Sequence, residues 1–257
     1  MAVGADVIDI NESLAYARKV AALRERIAGS GIAVFTACSA VSTVAAALVR
    51  RADIERPVRV SALVAPASRE TAHEGTLRSL LASVGAPIEV WRAGRFKEMR
   101  GWRESRRFEL ALRRGYLVES VLALDLPLLW PTLRDVDTWT DTSTPSANAM
   151  LSVVALAPAL RPLAAASIPL GAALARTLGT RRGGFAIEVA DDAVTRAFWL
   201  HAERGSYRIA ALPAALAAQR LATERGTVRG IVPTDEHVSV DALFVRLRES
   251  GIELTSA

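Results

Sequence analysis

The sequence contains only one cysteine, Cys38, among its 257 residues. A single cysteine cannot form an internal disulfide, and it excludes CxxC zinc and redox motifs. The three histidines, His73, His201 and His237, are far apart in the sequence. None has a metal-ligand spacing with another histidine, a cysteine or an acidic pair. We therefore predict no metal site, and we expect each histidine to lie at the surface.

Lysine is also scarce, because Lys19 and Lys97 are the only two, and arginine supplies almost all of the net charge of +5. Such arginine usage is more typical of genome composition than of a binding role, although an arginine-rich surface does favour anionic ligands. Hydrophobic residues make up 51% of the chain and charged residues 23%, which excludes a disordered protein. The length allows one large domain or two small ones.

No apolar run is long enough to cross a membrane, and the N-terminus shows no secretory signal. With the single cysteine, this predicts a cytoplasmic protein. The most apolar stretch is 148–178, but Pro158, Arg161, Pro162 and Pro169 divide it into pieces shorter than the ~20 residues of a span. We predict two helices there, buried in the core or against another subunit, with peripheral membrane contact as the alternative.

The chain is organised around 32–49, which predicts a buried strand, a turn of small residues and an apolar helix. A strand at 7–10 and a helix at 14–27 precede it, so the first fifty residues have the β-α-β-α pattern of a parallel sheet. Ligands of open α/β sheets bind at the turn that follows a strand's carboxyl end. Here the residues of that turn are Ala37, Cys38, Ser39 and Ala40.

After Pro57 the pattern changes to strands, short turns and short helices. The predicted single strands are 58–65, 135–141 and 252–254, and several more are predicted within 88–121. A hairpin is predicted from Gly183, with Asp191 and Asp192 at its turn and an extension of the strands at 207–210. The predicted helices are 76–84, 124–133, one starting at 144–146, 212–222, and 240–247 capped by Ser239 or Asp241. The predicted fold class is therefore α/β plus α+β: a partial Rossmann-like parallel β-α-β-α unit followed by a mostly antiparallel sheet domain with helices.

Several residues could carry chemistry. Asp135, Asp137 and Asp141 would share a strand face with Trp139, where carboxylates could bind a hard cation or act as acid and base, although a solvated strand face is commoner. Cys38 is more typical of a small buried residue than of a nucleophile, but a Cys–His pair stays possible. No G-x-S-x-G occurs, so a hydrolase elbow is not supported.

Arginines and aromatic residues alternate over 92–114. This pattern can bind single-stranded nucleic acid, a substrate carboxylate or a nucleotide phosphate, or it can simply mark exposed strands with unpaired arginines. The residues are Arg92, Arg95, Arg100, Arg103, Arg106, Arg107, Arg113 and Arg114, with Trp91, Phe96 and Trp102.

Three regions together resemble the saccharopine dehydrogenase-like family. ADVIDINESLAYARKV and GIAVFTACSAVSTVAAALVR resemble the second half of its Rossmann domain. VWRAGRFKEMRGWRESRRFEL and RGYLVESVLALDLPLLWPTLRDVDTWTDTSTP are similar to the α+β domain of a bacterial branch, and GTVRGIVPTDEHVSVDALFVRLRESGIEL is similar to the closing segment. By this resemblance, 1–56 is the Rossmann-like part, 57–210 a substrate and dimerisation domain, and 211–257 helices that pack back on the first part.

The resemblance implies an oxidoreductase that uses NADP or NAD for hydride transfer with a small-molecule substrate, and a homodimer. It implies that Asp9, Asn11 and the turn 37–40 bind the cofactor, and we expect Trp102, Arg103 and Arg106 to bind the substrate. No G-x-G-x-x-G occurs in the sequence, however. We therefore expect an N-terminally truncated relative, or one with a mis-assigned start, that binds dinucleotide weakly or not at all. The alternatives are a non-enzymatic dimerisation or assembly module and, with less support, nucleic-acid binding through 92–114.

Overall fold

A computed structural model describes residues 4–224 and 226–257. The strands are β1 (Val7–Ile8), β2 (Ala33–Phe35), β3 (Arg59–Ala65), β4 (Pro87–Arg92), β5 (Arg95–Arg100), β6 (Ser105–Phe108), β7 (Arg113–Val118), β8 (Asp135–Thr140), β9 (Gly183–Ala190), β10 (Thr195–Ala202), β11 (Gly230–Ile231) and β12 (Glu253–Ser256). The α-helices are α1 (Leu14–Ala22), α2 (Arg24–Ser30), α3 (Ala45–Arg51), α4 (Ser68–Thr71), α5 (Glu74–Ser83), α6 (Leu122–Leu129), α7 (Pro145–Leu156), α8 (Arg161–Ala166), α9 (Ile168–Leu178), α10 (Arg208–Thr223) and α11 (Val240–Glu249).

The first of two sheets is small and parallel. Its central strand β2 pairs in parallel with β1 on one side and with β11 on the other. Strand β11 comes from residues 230–231, so an early and a late part of the chain meet in this sheet. The carboxyl ends of all three strands consequently lie at one edge.

The second sheet has nine strands and is mostly antiparallel. Seven strands follow the order β12-β10-β9-β3-β8-β4-β5, and β7 pairs with both β6 and β8. Only the pair β3 and β8 is parallel. Strand β8 shares one edge between two partners, because β4 meets it at Val136 and β7 pairs with it from Thr138 to Thr140. The two sheets confirm the predicted fold class.

Local sequence signals explain several element boundaries. The hydroxyl of Ser239 accepts a hydrogen bond from the Ala242 N–H and caps α11, as predicted. The side chain of Asp191 accepts from the N–H groups of Ala193 and Val194, which closes the predicted β9–β10 hairpin. Leu23 divides the predicted first helix into α1 and α2, since its N–H bonds to Val20 O instead of continuing the α-helix.

Two predictions about the later helices are wrong in part. Residues 207–210 do not extend the hairpin, because they lead into α10, the Ala/Leu helix whose regular pattern continues back to Arg208. The stretch 148–178 holds three α-helices rather than two, with breaks around Pro158 and Ser167. No single helix among the described residues is long and apolar enough to cross a membrane. The segments Pro145–Leu156 and Pro158–Ala166 taken together have the length and apolar composition of a span, but the chain bends by 119° between them.

The largest cluster of buried apolar side chains joins the two sheets. It includes Phe35 from the parallel sheet, Ile187 from the antiparallel sheet and Leu48 from α3 between them. Helix α3 is buried from Ala45 to Val49, where it is apolar on all sides, and its two arginines stand at its C-terminal end. The parallel sheet and the residues that follow it are therefore held on a rigid base.

Candidate functional site

The candidate site lies at the carboxyl edge of the parallel sheet. Three loops leave the strands there, at 9–13, 36–39 and 232–239, and we call them the carboxyl-edge loops. The first two are joined through Asp9, whose backbone oxygen accepts from the Cys38 N–H at 2.8 Å. Its carboxylate accepts from the Ala37 N–H at 3.3 Å. Ligands of open α/β folds bind at this kind of edge.

The predicted cofactor turn is not an open surface. Its four residues, Ala37 to Ala40, are between 0% and 6% exposed. Side chains of Ala17 and Val121 pack on Ala37, and the Val121 N–H donates to Glu12 O at 3.0 Å, which holds the first carboxyl-edge loop over the turn. Of the residues expected to bind the cofactor, Asn11 is exposed and Asp9 is partly buried. The turn therefore supports the loop that a ligand could reach, rather than facing the ligand itself.

Two acidic side chains make hydrogen bonds to hydroxyl groups under this edge. The Ser39 hydroxyl donates to the Glu12 carboxylate at 2.5 Å, and burial raises the pKa of Glu12. Asp125, on α6, accepts from the hydroxyls of Ser42 at 2.8 Å and Thr234 at 3.3 Å. Burial raises the pKa of Asp125 to about 6. Carboxyl groups shifted towards neutral pH are typical of acid–base sites, although buried structural networks shift pKa values as well.

A π-helical turn at Ala40–Val44 directs neighbouring hydroxyls to different partners. Ser42 reaches Asp125, while Thr43 contacts His237 Nδ1 at 2.9 Å. The extra residue of a π-turn changes the direction of the following side chains, and such turns are frequent at functional sites. The turn therefore connects the loop after β2 both to α6 and to the loop after β11.

The prediction that every histidine lies at the surface is wrong for His237, which is 0% exposed. His237 Nε2 is 3.1 Å from Val232 O, and a carbonyl can only accept, so Nε2 carries the proton and Nδ1 accepts from the Thr43 hydroxyl. Burial lowers the pKa of His237 to about 4, which keeps the ring neutral. His73 is exposed, as predicted, and His201 is half-buried.

Cys38 is a small buried residue, as predicted, and lies in the main core cluster. Burial raises the pKa of its thiol to about 12, and Thr43 lies within hydrogen-bond reach of it. A nucleophilic Cys–His pair needs a thiolate beside an imidazolium. Here burial favours the neutral thiol and the neutral imidazole, so Cys38 is not activated as a nucleophile.

The residues expected to bind substrate occupy three different environments. Trp102 is 2% exposed and stacks on Tyr116 with ring centroids 4.6 Å apart, inside a second core cluster. The Arg106 guanidinium binds Glu188 and Ser61 on the large sheet. Arg103 is exposed. Among the described residues, no hydrogen bond or ion pair links these three to the carboxyl-edge loops.

Several arginines of 92–114 are paired, so the expectation of unpaired arginines is wrong for them. Arg92 contacts Asp137 and Glu104, both at 2.9 Å, and Arg113 contacts Asp141 at 3.2 Å. Asp137 and Asp141 thus bind guanidinium groups, while Asp135 accepts from the Ala93 N–H at 3.0 Å. In the part of the chain that the structure describes, no group of three or more His, Cys, Asp or Glu side chains could hold a metal ion.

Sequence reasoning did not identify the three sets of hydrogen bonds that hold Glu12, Asp125 and His237. Glu12 could have been found, because it comes directly after a predicted strand at the ligand edge. His237 follows β11, which has only two residues and shows no strand pattern of its own. Neither family models nor curated proteins give a match to this chain. The fold and the site therefore define a mixed α/β protein with hydrogen-bonded polar side chains at the carboxyl edge of a parallel sheet.

Proposed function

We propose that this chain is a saccharopine dehydrogenase-like, NAD- or NADP-dependent oxidoreductase that transfers a hydride to or from a small substrate. The observation that supports this function most is the three-stranded parallel sheet with polar loops at its carboxyl edge, next to a mostly antiparallel sheet. The sequence resemblance implies this combination. A parallel-sheet edge of this type is where dinucleotides bind in related architectures.

The site fits a nicotinamide group better than a whole dinucleotide. Asn11 is exposed; its Oδ1 accepts from the Ser13 N–H at 2.9 Å, and its Nδ2 can donate to a carboxamide oxygen. Asp9 lies beside it in the loop, and Asp9 Oδ2 is a buried oxygen with no hydrogen-bond partner among the described residues. For the pyrophosphate, in contrast, the sequence has no G-x-G-x-x-G. We therefore expect recognition to be limited to the nicotinamide end.

Nicotinamide recognition can be tested with reduced nicotinamide mononucleotide, NADPH and NADH as probes. We expect all three to bind weakly and with affinities within about threefold of each other, because the pyrophosphate adds few contacts. Asn11→Ala should weaken all three about tenfold, the effect of one lost hydrogen bond. Gln219→Ala, which removes an exposed amide on α10, is the matched control. Binding to all three proteins is measured by the fluorescence of the reduced nicotinamide, and binding to the wild type and Gln219→Ala also by NMR titration of the Asn11 side-chain amide.

Two outcomes would contradict the proposal. One is the lack of saturable binding for all three probes at millimolar concentrations. The other is an equal change in probe affinity in Asn11→Ala and Gln219→Ala. That result would mean that the probes do not bind at the carboxyl-edge loops. A homodimer and a cytoplasmic location also stay predictions, and sedimentation of the full chain measures the first of them.

A non-enzymatic assembly module is the second candidate function. It is favoured by exposed apolar side chains on α7 and α9, such as Leu156 and Leu178, which are 66% and 81% exposed. A module of this kind predicts concentration-dependent association and no response to the nicotinamide probes. Nucleic-acid binding has less support, because Arg92, Arg106 and Arg113 already bind carboxylates.

A further inference from the structure

The helices of the region 145–178 expose large apolar side chains in two stripes. Between 47% and 81% of the surface of each of these side chains is exposed. They are Met150, Val153 and Leu156 on α7, and Leu170, Leu174 and Leu178 on α9. Residues three or four positions apart lie on the same side of a helix. Each set therefore forms one continuous stripe. We call the two stripes together the outer face.

The two stripes lie on the outer side of one buried cluster. The opposite sides of the helices contribute Leu151, Val154 and Ile168 to that cluster, where they meet Leu81 of α5. Leu163, on α8 between the two stripes, is 71% exposed, while its neighbour Ala164 is buried in the same cluster. The outer face is thus backed by a packed core and not by a cavity.

The charge around the outer face has one sign. Between Asp141 and Glu188 the sequence has four arginines and no acidic residue. Arg161 donates to the backbone oxygens of Leu81 and Ala82, and Arg182 pairs with Glu203. The remaining two, Arg176 and Arg181, are exposed and form no ion pair with a described residue.

The elements packed against α9 add little negative charge. Arg69 on α4 is exposed and donates to Arg176 O at 3.0 Å. Glu70 on the same helix accepts from the Gly205 N–H, and Glu74 on α5 pairs with Arg78 at 3.8 Å. The C-terminal end of α9 is therefore an apolar stripe beside a cluster of cationic groups.

We propose that the outer face docks on the surface of an anionic lipid bilayer. Apolar side chains of surface helices enter the boundary between headgroups and acyl chains, and arginines beside them bind anionic headgroups. In this docking mode the helices lie on the bilayer with their apolar stripes towards it and do not span it. This proposal does not depend on the oxidoreductase activity.

A second copy of the chain fits the outer face less well. In a two-fold interface the same patch meets itself. Arg176 and Arg181 would then approach the equivalent arginines, with no carboxylate between Asp141 and Glu188 to neutralise them. Phosphate groups of lipids supply that negative charge.

The test is flotation of the full chain with vesicles of phosphatidylglycerol or of phosphatidylcholine. We expect binding to phosphatidylglycerol that weakens with salt, and much weaker binding to phosphatidylcholine. Exchanging Leu170, Leu174 and Leu178 for serine should reduce binding at least tenfold. Leu112→Ser is the matched control, because Leu112 is 75% exposed in the turn between β6 and β7 and belongs to neither stripe.

The charge contribution is tested with the double variant Arg176→Gln/Arg181→Gln. We expect its binding to phosphatidylglycerol to fall about 25-fold, or about fivefold for each arginine, with no change on phosphatidylcholine. Circular dichroism checks that each variant stays folded. Three results would overturn the proposal: no flotation of the wild-type chain, equal effects of the leucine triple and Leu112→Ser, or a concentration-dependent dimer that only the leucine triple dissociates.

Discussion

Replacing Asp125 with asparagine should change how the stability of the protein depends on pH. In the wild type, burial raises the pKa of Asp125 from its ordinary value of 3.8 to about 6. The folded state therefore holds this proton more tightly than the unfolded state, and the stability that Asp125 contributes is lost as pH rises from about 4 to 6. Asparagine keeps an acceptor for Ser42 and Thr234 but never becomes charged.

The magnitude follows from the two pKa values. A pKa rise from 3.8 to about 6 corresponds to about 3 kcal/mol in the free energy of unfolding. This is an upper limit, because Asp125 is partly exposed and water reduces the desolvation cost. The difference in stability between Asp125→Asn and the wild type should thus grow by up to about 1.4 kcal/mol per pH unit between pH 4 and 6, and stay constant above.

His237 makes this difference hard to see in the wild type alone. Its pKa falls from 6.5 to about 4 in the folded state, so its contribution is lost as pH falls through nearly the same range. The two effects have opposite signs and similar sizes, of about 3 kcal/mol each. The contributions of these two groups should therefore nearly cancel in the wild type, so that its free energy of unfolding changes little between pH 4 and 6. In Asp125→Asn only the contribution of His237 remains, and stability should fall as pH falls through this range.

Urea unfolding of the wild type and the variant at pH 4, 5, 6 and 7 measures this effect. Asp192→Asn, which replaces an exposed carboxylate in the β9–β10 turn, serves as the control and should follow the wild type. The difference in the free energy of unfolding between Asp125→Asn and the wild type could instead stay constant over this range or shrink as pH rises. Either result would show that burial of the Asp125 charge does not cause the pH dependence.

Three further predictions concern packing, capping and thiol access. Gly115→Ala should lower the free energy of unfolding by about 1–3 kcal/mol, because the new Cβ would lie 2.6 Å from Trp139 Cβ and 2.8 Å from Leu63 Cδ1. At Gly171 a new Cβ would have no atom within 4 Å, so Gly171→Ala should stabilise α9 by up to about 1 kcal/mol. If Gly115→Ala and Gly171→Ala changed the free energy of unfolding in urea equally, the close contacts at Gly115 would not be the cause. Ser239→Ala should cost about 1 kcal/mol by removing the cap of α11, Ser239→Asp should not, and thermal unfolding distinguishes them. Cys38 should react with a thiol reagent only after unfolding, and rapid reaction of the native protein would show that the turn opens.

Much of the fold could be predicted from local patterns in the sequence. The apolar spacing of the first fifty residues predicts β1 to α3 in the right order, because the periods of strands and helices are properties of neighbouring residues. The β9–β10 hairpin and the cap of α11 depend on Asp191 and Ser239, which act on N–H groups two or three positions away. The predicted edge of the parallel sheet is likewise a local property, since it follows from where each strand ends.

The candidate site, in contrast, depends on contacts between distant parts of the chain. Thr43 and His237 are 194 residues apart, and Ser42 and Asp125 are 83 apart. Nothing near His237 shows that it is buried, because strand β11 has two residues and is stabilised by β2. The pairing of Arg92 with Asp137 is equally invisible in the sequence.

The sequence by itself determined most of the strands and helices, though not β11 or the division of 148–178, and that small residues follow β2 at a ligand edge. Only the tertiary structure decided that the turn from Ala37 to Ala40 is covered, that Asn11 is the accessible group beside it, and that the apolar helices α7 and α9 keep one side exposed. The physical reason is that periodicity specifies which sides of an element are apolar, whereas burial and pKa depend on what the rest of the chain packs against those sides.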